Sequence, residues 1–271
     1  MIIDTHCHYN LEPLFADANL SQTATHLNKA LEHGIVHTLV PGTDLLSSER
    51  ALILTEDFPQ LWAAIGFHPH EAHTLQDGEV APHLDALLQA HSAAHCLAIG
   101  ETGLDYFRLS EDQTVERRKQ QRVFAEHIAY ADAHRLPLSI HVRDVDTQAY
   151  DAIISLIKSE KRSDLPFILH CASGTRAYIS AALELGAYIS FAGNVTYKTA
   201  DALRDIARFV PQDRILVETD APFLPPQEYR GKNCEPWMIQ LTVAALTYTC
   251  GITEEQLYIN TCTLFPSMKA S

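Results

Sequence analysis

Side chains able to ligate a metal ion stand at the ends of apolar runs along most of this chain. They are His6 and His8 in IIDTHCH, Glu101 in CLAIGET, His141 in LPLSIH, His170 in LPFILH and Asp220 in RILVETD. One His or Asp after a strand is ordinarily a hydrogen-bonded loop residue. A set spread from residue 6 to residue 220 differs, because only a fold that gathers many strand ends makes its members neighbours. Imidazole suits zinc, nickel, copper and iron, and carboxylates extend the range to manganese and magnesium. The set is also larger than one tetrahedral zinc needs. It implies two divalent ions, zinc, manganese and magnesium being candidates, with His6, His8 and Asp220 on one and His141 and His170 on the other. Glu101 is the natural bridge, since each carboxylate oxygen can take one ion. Paired ions sit ~3.5–4 Å apart, clamp attacking and leaving oxygens, and lower the pKa of a bound water towards ~7. Asp220 would orient that water and accept its proton, which makes Asp220 and Glu101 the expected catalytic residues. The chemistry is metal-dependent hydrolysis.

Eight apolar runs can position these residues: Ile2–Thr5, Ile35–Pro41, Leu61–Phe67, Cys96–Glu101, Leu136–Val142, Pro166–Cys171, Ala187–Ala192 and Arg214–Thr219. They are continuous rather than alternating, as strands buried on both faces should be. Segments of helical period separate them, among them Glu111–Arg135, Tyr178–Gly186 with its closing glycine, and Asp201–Phe209 before Pro211. Strand then helix, eight times over, specifies an α/β chain folded as a (β/α)8 TIM barrel, whose active site lies at the C-terminal ends of the strands. An open doubly wound sheet would keep ligands of the first and last strands apart, whereas closure makes them neighbours. No linker or charge block marks a second domain. The tail from Trp237 to Phe265 reads as final helices packed on the barrel.

The 271 residues suit one such barrel, and a net charge of −14 argues against a wide duplex footprint. Duplex DNA is held chiefly by Lys and Arg neutralising phosphates. A phosphate-bearing substrate must then be gripped locally, by ions and a few placed cations. The cysteines, Cys7, Cys96, Cys171, Cys234, Cys250 and Cys262, show no CxxC spacing and read as reduced thiols. Cys7 and Cys171 adjoin proposed ligands, yet packing as small hydrophobes is the simpler reading. The opening MIIDTHCH carries no leader pattern, and no apolar stretch approaches the roughly 18 residues of a membrane helix. A cytoplasmic enzyme with no membrane partner is expected.

The ordered series IDTHCH, GFHPHEA, IGETGLDY, IHVRD, HCASG, ISFAGNVTYK, ETDAPFL, YRGKNCEP and NTCTLF resembles the TatD-related hydrolases of the amidohydrolase superfamily. The resemblance covers nearly the whole chain. It implies a (β/α)8 barrel binding divalent metals and acting as a DNase or phosphodiesterase, though some relatives remove D-amino acids from tRNA. Its ligand positions fall on His6, His8, Glu101, His141, His170 and Asp220. Other motif residues are candidates for holding substrate: His68 as a donor or proton carrier unless it merely turns the chain before Pro69, Arg143 unless it pairs with Asp144 or Asp146, Arg176 near a helix start, Lys198, and Arg230 with Lys232. Asp105 suits a supporting role, holding Glu101 or a loop. Two positions depart from the family pattern, Cys234 where asparagine is usual and Ala172 where an aromatic is frequent. Both are expected near the mouth, where substrate is chosen.

The expected activity is a two-metal phosphodiesterase or deoxyribonuclease using metal-activated water at a free nucleic-acid end. The alternative is hydrolysis of an ester or amide, including an aminoacyl ester on tRNA, by the same ligand set. A silent metal-binding scaffold is the third reading, and the complete ligand set opposes it.

Overall fold

The computed structural model describes residues 1–16, 20–109 and 113–269. The apolar runs form strands β1 (Ile2–Asp4), β2 (Ile35–Pro41), β3 (Leu61–Ile65), β4 (Cys96–Asp105), β5 (Leu138–Arg143), β6 (Phe167–Leu169), β7 (Ala187–Phe191) and β8 (Ile215–Val217). Neighbours pair in sequence order, and every pair is parallel. The ring closes through the N–H of Thr5 to the carbonyl of Val217 (3.2 Å) and the N–H of Asp220 to that of His6 (2.8 Å). The buried Asp4 carboxylate reinforces this seam by accepting the Thr219 hydroxyl (2.6 Å) and N–H (3.0 Å). The chain is the (β/α)8 barrel its sequence led us to expect.

Helices α1 (Ser21–Glu32), α2 (Leu45–Asp57), α3 (Val80–Ala90), α4 (Gln113–His134), α5 (Gln148–Glu160), α6 (Arg176–Glu184), α7 (Asp201–Phe209), α8 (Ile239–Cys250) and α9 (Glu254–Leu264) surround the sheet. Sequence reading begins α4 at Glu111, which lies outside the described residues. Thr175 starts α6 by accepting the N–H of Tyr178 (3.2 Å), so this helix begins two residues earlier than its apolar pattern suggests. None of the described helices is long and apolar enough to cross a membrane.

Alternation along each strand splits the core in two. Ile2 faces the helices, whereas Ile3 joins Leu39, Ala64, Ala98, Ile168, Tyr188 and Leu216 inside the barrel. Leu264, Phe265 and Met268 of the tail cover that inner cluster, beside Val36, Trp62 and Leu97 at the starts of β2, β3 and β4. The tail therefore plugs the N-terminal end of the barrel and leaves the opposite end open.

β4 differs most from expectation. It runs past Glu101 to Asp105, with an irregular step between Ile99 and Thr102. Two glycines permit this, both in backbone conformations that L side chains rarely adopt: Gly100 at φ +147° and Gly103 at φ +143°. A Cβ on Gly103 would stand 2.0 Å from the carbonyl oxygen of His141. Glycine reads in sequence as a strand breaker, which is why the run looked shorter.

Candidate metal centre

β1 ends at Asp4, and the chain continues along the barrel axis through His6 and His8. Their side chains share a side, with Nε2 atoms 3.2 Å apart. The β1–β8 seam brings Asp220 beside them, and Asp4 steadies both flanks because it also accepts the N–H of His6 (3.2 Å). Glu101 Oε2 lies 3.4 Å from His6 Nε2 and 3.7 Å from His8 Nε2. Asp220 Oδ1 lies 3.6 Å and 3.4 Å from the same two atoms. Nitrogen and oxygen ligands held ~2.0–2.1 Å from a tetrahedral ion stand about 3.3–3.4 Å from one another. The separations here, 3.2 to 3.7 Å, are close to that spacing.

The other oxygen of Glu101 faces a second group. Oε1 is 2.9 Å from His141 Nδ1, 3.0 Å from His170 Nε2 and 3.6 Å from His68 Nε2. His141 Nδ1 and His170 Nε2 are 3.2 Å apart. All six residues chosen from sequence meet at one place, with the two oxygens of Glu101 turned to different histidines. Overlapping sets of these residues could hold a divalent ion: His6, His8 and Asp220; His6, Glu101 and His170; and His68, Glu101 and His141. His6, His8, Glu101, His170 and Asp220 are all buried, and a buried carboxylate is costly unless cations or donors surround it.

Electrostatics follow from this crowding. Burial opposes charge on Glu101, yet the His170 and His68 rings and the hydrogen bond from His141 hold it well below the usual carboxylate range. Burial likewise opposes the His170 imidazolium, but Glu101 and Glu218 keep its pKa well up. His6 is pushed down by burial and by the His170 ring stacked 3.9 Å away.

Two supporting residues, Glu218 and His70, escaped the sequence reading, whereas Asp105 and His68 were singled out in it. Glu218 is fully buried, accepts the N–H of Cys171 through Oε1 (2.6 Å) and brings the same oxygen within 3.4 Å of His170 Nδ1. Its signal was faint, a carboxylate two residues before Asp220 in an otherwise apolar run. Asp105 Oδ2 lies 3.3 Å from His141 Nε2 and 3.2 Å from His70 Nε2, so it supports His141 rather than Glu101. His70 repeats with His68 the HxH spacing of His6 and His8 and could have been found that way. His68 faces the centre. Its Nδ1 accepts the N–H of His70 (3.2 Å), so the neutral ring carries its proton on Nε2, toward Glu101.

A cleft of about 770 Å³ opens above these residues. Arg143 lines it with its guanidinium 3.9 Å from the Phe107 ring centre. The Asp144 partnership considered for it does not form: that carboxylate instead accepts the N–H groups of Val145 (2.8 Å), Asp146 (3.2 Å) and Ala149 (2.7 Å). Arg176, Lys198 and Arg230 are not among the described residues lining the cleft. Arg176 instead lies over Phe209 (4.3 Å) and Arg230 over Tyr197 (4.6 Å), where aromatic faces attract the cations. Arg108, unremarked in sequence, does line the cleft. The two departures from the family pattern are also buried, Cys234 with its N–H on the Pro222 carbonyl (2.9 Å) and Ala172 against β7 through the Ser190 carbonyl (2.8 Å). They pack the loops rather than face the mouth. Cys7 is fully buried and its thiol pKa is raised by that burial, as its packing role predicts.

Residues 3–266 match the model of the TatD related DNase family. The chain belongs to that family. An uncharacterized metal-dependent hydrolase of Bacillus subtilis, YabD, is 31% identical over 257 residues, covering 95% of this chain and 94% of the relative. A TatD relative from Erwinia tasmaniensis described as a 3′-5′ ssDNA/RNA exonuclease is 33% identical over 208 residues, covering 76% of each chain. The crystal structure of the TatD homolog YjjV from Escherichia coli superposes with a TM-score of 0.86 at 28% identity, covering 98% of both chains. This TatD-family chain is therefore a metal-dependent hydrolase.

Proposed function

We propose that this TatD-family hydrolase cleaves phosphodiester bonds of single-stranded nucleic acid from a free end, using divalent ions that His6, His8, Glu101, His141, His170 and Asp220 would hold. The observation that carries the reading is the division of Glu101, with Oε2 toward His6 and His8 and Oε1 toward His141 and His170, on the floor of an open cleft. The name of the Erwinia relative supports nucleic acid as the substrate class. The charge of −14 supports a grip confined to an end rather than a long backbone footprint.

When bound, such ions supply Lewis acidity at the phosphoryl oxygens and lower the pKa of an attacking water. The protein's own groups do the rest. The Asp220 carboxylate, through the oxygen not turned to His6 and His8, would accept the proton of the incoming water and hold its direction of attack. His68 Nε2–H would donate to the phosphate or to the departing oxygen, a reading supported by Nδ1 accepting the His70 N–H, which leaves the proton of the neutral ring on Nε2. Arg143, lying against Phe107, adds a cation at the wall where a phosphate would enter.

The test uses metal-stripped protein, reloaded in turn with zinc, manganese, magnesium or nickel, on a labelled single-stranded oligonucleotide and a small phosphodiester. Release of mononucleotides is expected, lowered about 10²–10⁴-fold in Asp220→Asn, as loss of a general base implies. Folded, metal-loaded protein that leaves both substrates intact would refute the proposal and turn attention to aminoacyl esters.

A further inference from the structure

Among the described residues, two phenylalanine side chains stand exposed at the open end of the barrel, Phe107 at 45% and Phe223 at 51%. Phe107 follows β4 and Phe223 follows β8, which lie four places apart in an eight-stranded ring. They therefore stand on opposite sides of the open end, Phe223 in the lining of the cleft and Phe107 just outside it, against the Arg143 side chain that does line it. Both are anchored by groups that belong to the centre below. The Phe223 N–H donates to the Asp220 carbonyl (2.8 Å), and the ring meets the edge of His8 at 5.7 Å. The Phe107 N–H donates to Asp105 Oδ1 (2.9 Å), and Arg143 covers one face of its ring at 3.9 Å.

We propose that Phe223 and Phe107 are stacking platforms for the two bases flanking the scissile phosphate. This rests on the phosphodiesterase reading for the place of that phosphate, at Glu101. The chemistry favours bases for three reasons. Every base offers a π face, so an aromatic platform holds a strand without regard to sequence. A guanidinium lying on one ring places a phosphate partner beside a base partner. A chain carrying −14 gains little from long-range attraction to a polyanion, so affinity must come from short-range contacts. Single strands follow as the preferred form, because paired bases inside a duplex keep their faces covered.

The experiment measures fluorescence anisotropy of metal-loaded protein with a labelled single strand whose terminal linkages are non-cleavable phosphonates. Strands carrying an abasic tetrahydrofuran unit at the terminal or the penultimate position run in parallel. Phe107→Ala and Phe223→Ala are each expected to bind the complete strand about 5- to 100-fold more weakly, the range of one lost stacking contact. Each loss should vanish on one abasic strand and persist on the other, and the two variants should respond to different positions. Phe223→Tyr should bind like the parent, and Phe223→Leu like the alanine variant. Melting temperature and metal content of the variants serve as the check on folding. Unchanged binding by both variants, equal losses on complete and abasic strands, or no binding by the parent would overturn the proposal. Stacking with the expected abasic pattern but no cleavage of the natural strand would refute the phosphodiesterase reading alone. Cleavage with unchanged binding in both variants would refute the platforms alone.

Discussion

Replacing Glu218 separates a supporting carboxylate from a metal ligand. Glu218 is fully buried, and its Oε1 has two duties, accepting the Cys171 N–H at 2.6 Å and facing His170 Nδ1 at 3.4 Å. Carboxylates behind a ligating imidazole fix its ring and raise its basicity, and their loss typically weakens metal binding about 10- to 100-fold, or about 1.4–2.7 kcal/mol. Glu218→Ala should show that loss and a second one. The Cys171 N–H, in a half-buried residue at φ +47°, would lose its acceptor, at up to about 1 kcal/mol of stability in the metal-free protein. Glu218→Gln keeps an acceptor of the same length, so metal-free stability should stay closer to the parent while zinc affinity still falls about tenfold. Titration of stripped protein with zinc against a chromogenic chelator, with urea unfolding of the metal-free forms, reads both quantities. His170 belongs to the group on Glu101 Oε1, so only one class of bound zinc should weaken. Unchanged affinity in both variants, or equal weakening of all bound zinc, would refute the reasoning.

Two other expectations test the frame around the centre. His127 is buried with Nδ1–H on the Val123 carbonyl (2.7 Å) and Nε2 accepting the Phe67 N–H (3.1 Å), and burial lowers its pKa to about 4. Because the folded value lies below the unfolded one of about 6.5, stability is intact above pH ~6.5 and falls by about 3 kcal/mol as pH drops to ~4; urea midpoints of the parent should fall more over this window than those of His127→Gln, and parallel curves would refute it. Gly103→Ala puts a Cβ against the His141 carbonyl at a positive φ, which should cost about 1–3 kcal/mol in chemical denaturation and reduce bound metal, whereas parent-like stability and metal content would refute the close approach.

Much of the site was legible because its chemistry is local. Histidines and carboxylates that end apolar runs mark themselves by type, and His6–x–His8 marks its shared side by spacing. The supporting residues were less legible for the opposite reason. Asp4, Glu218 and Asp105 act through partners far along the chain, such as Thr219 for Asp4 and His141 for Asp105, and a carboxylate in a strand looks alike whether it braces a ligand or a loop. Arg176 and Arg230 show the limit from the other side. Their motif positions suggested phosphate contacts, yet each lies over an aromatic ring supplied by a different segment, Phe209 and Tyr197.

The sequence by itself determined the barrel, the six residues that gather at its open end and the class of chemistry, because buried parallel strands demand continuous apolar runs and metal binding demands particular atoms. Only the tertiary structure decided which oxygen of Glu101 faces which histidines, which of the basic residues reach the cleft, and which phenylalanines remain uncovered above it. Those are questions of distance and direction between strands that are remote in the chain. The closure of β8 on β1, and the close approach of β4 to β5 at Gly103, set the answers.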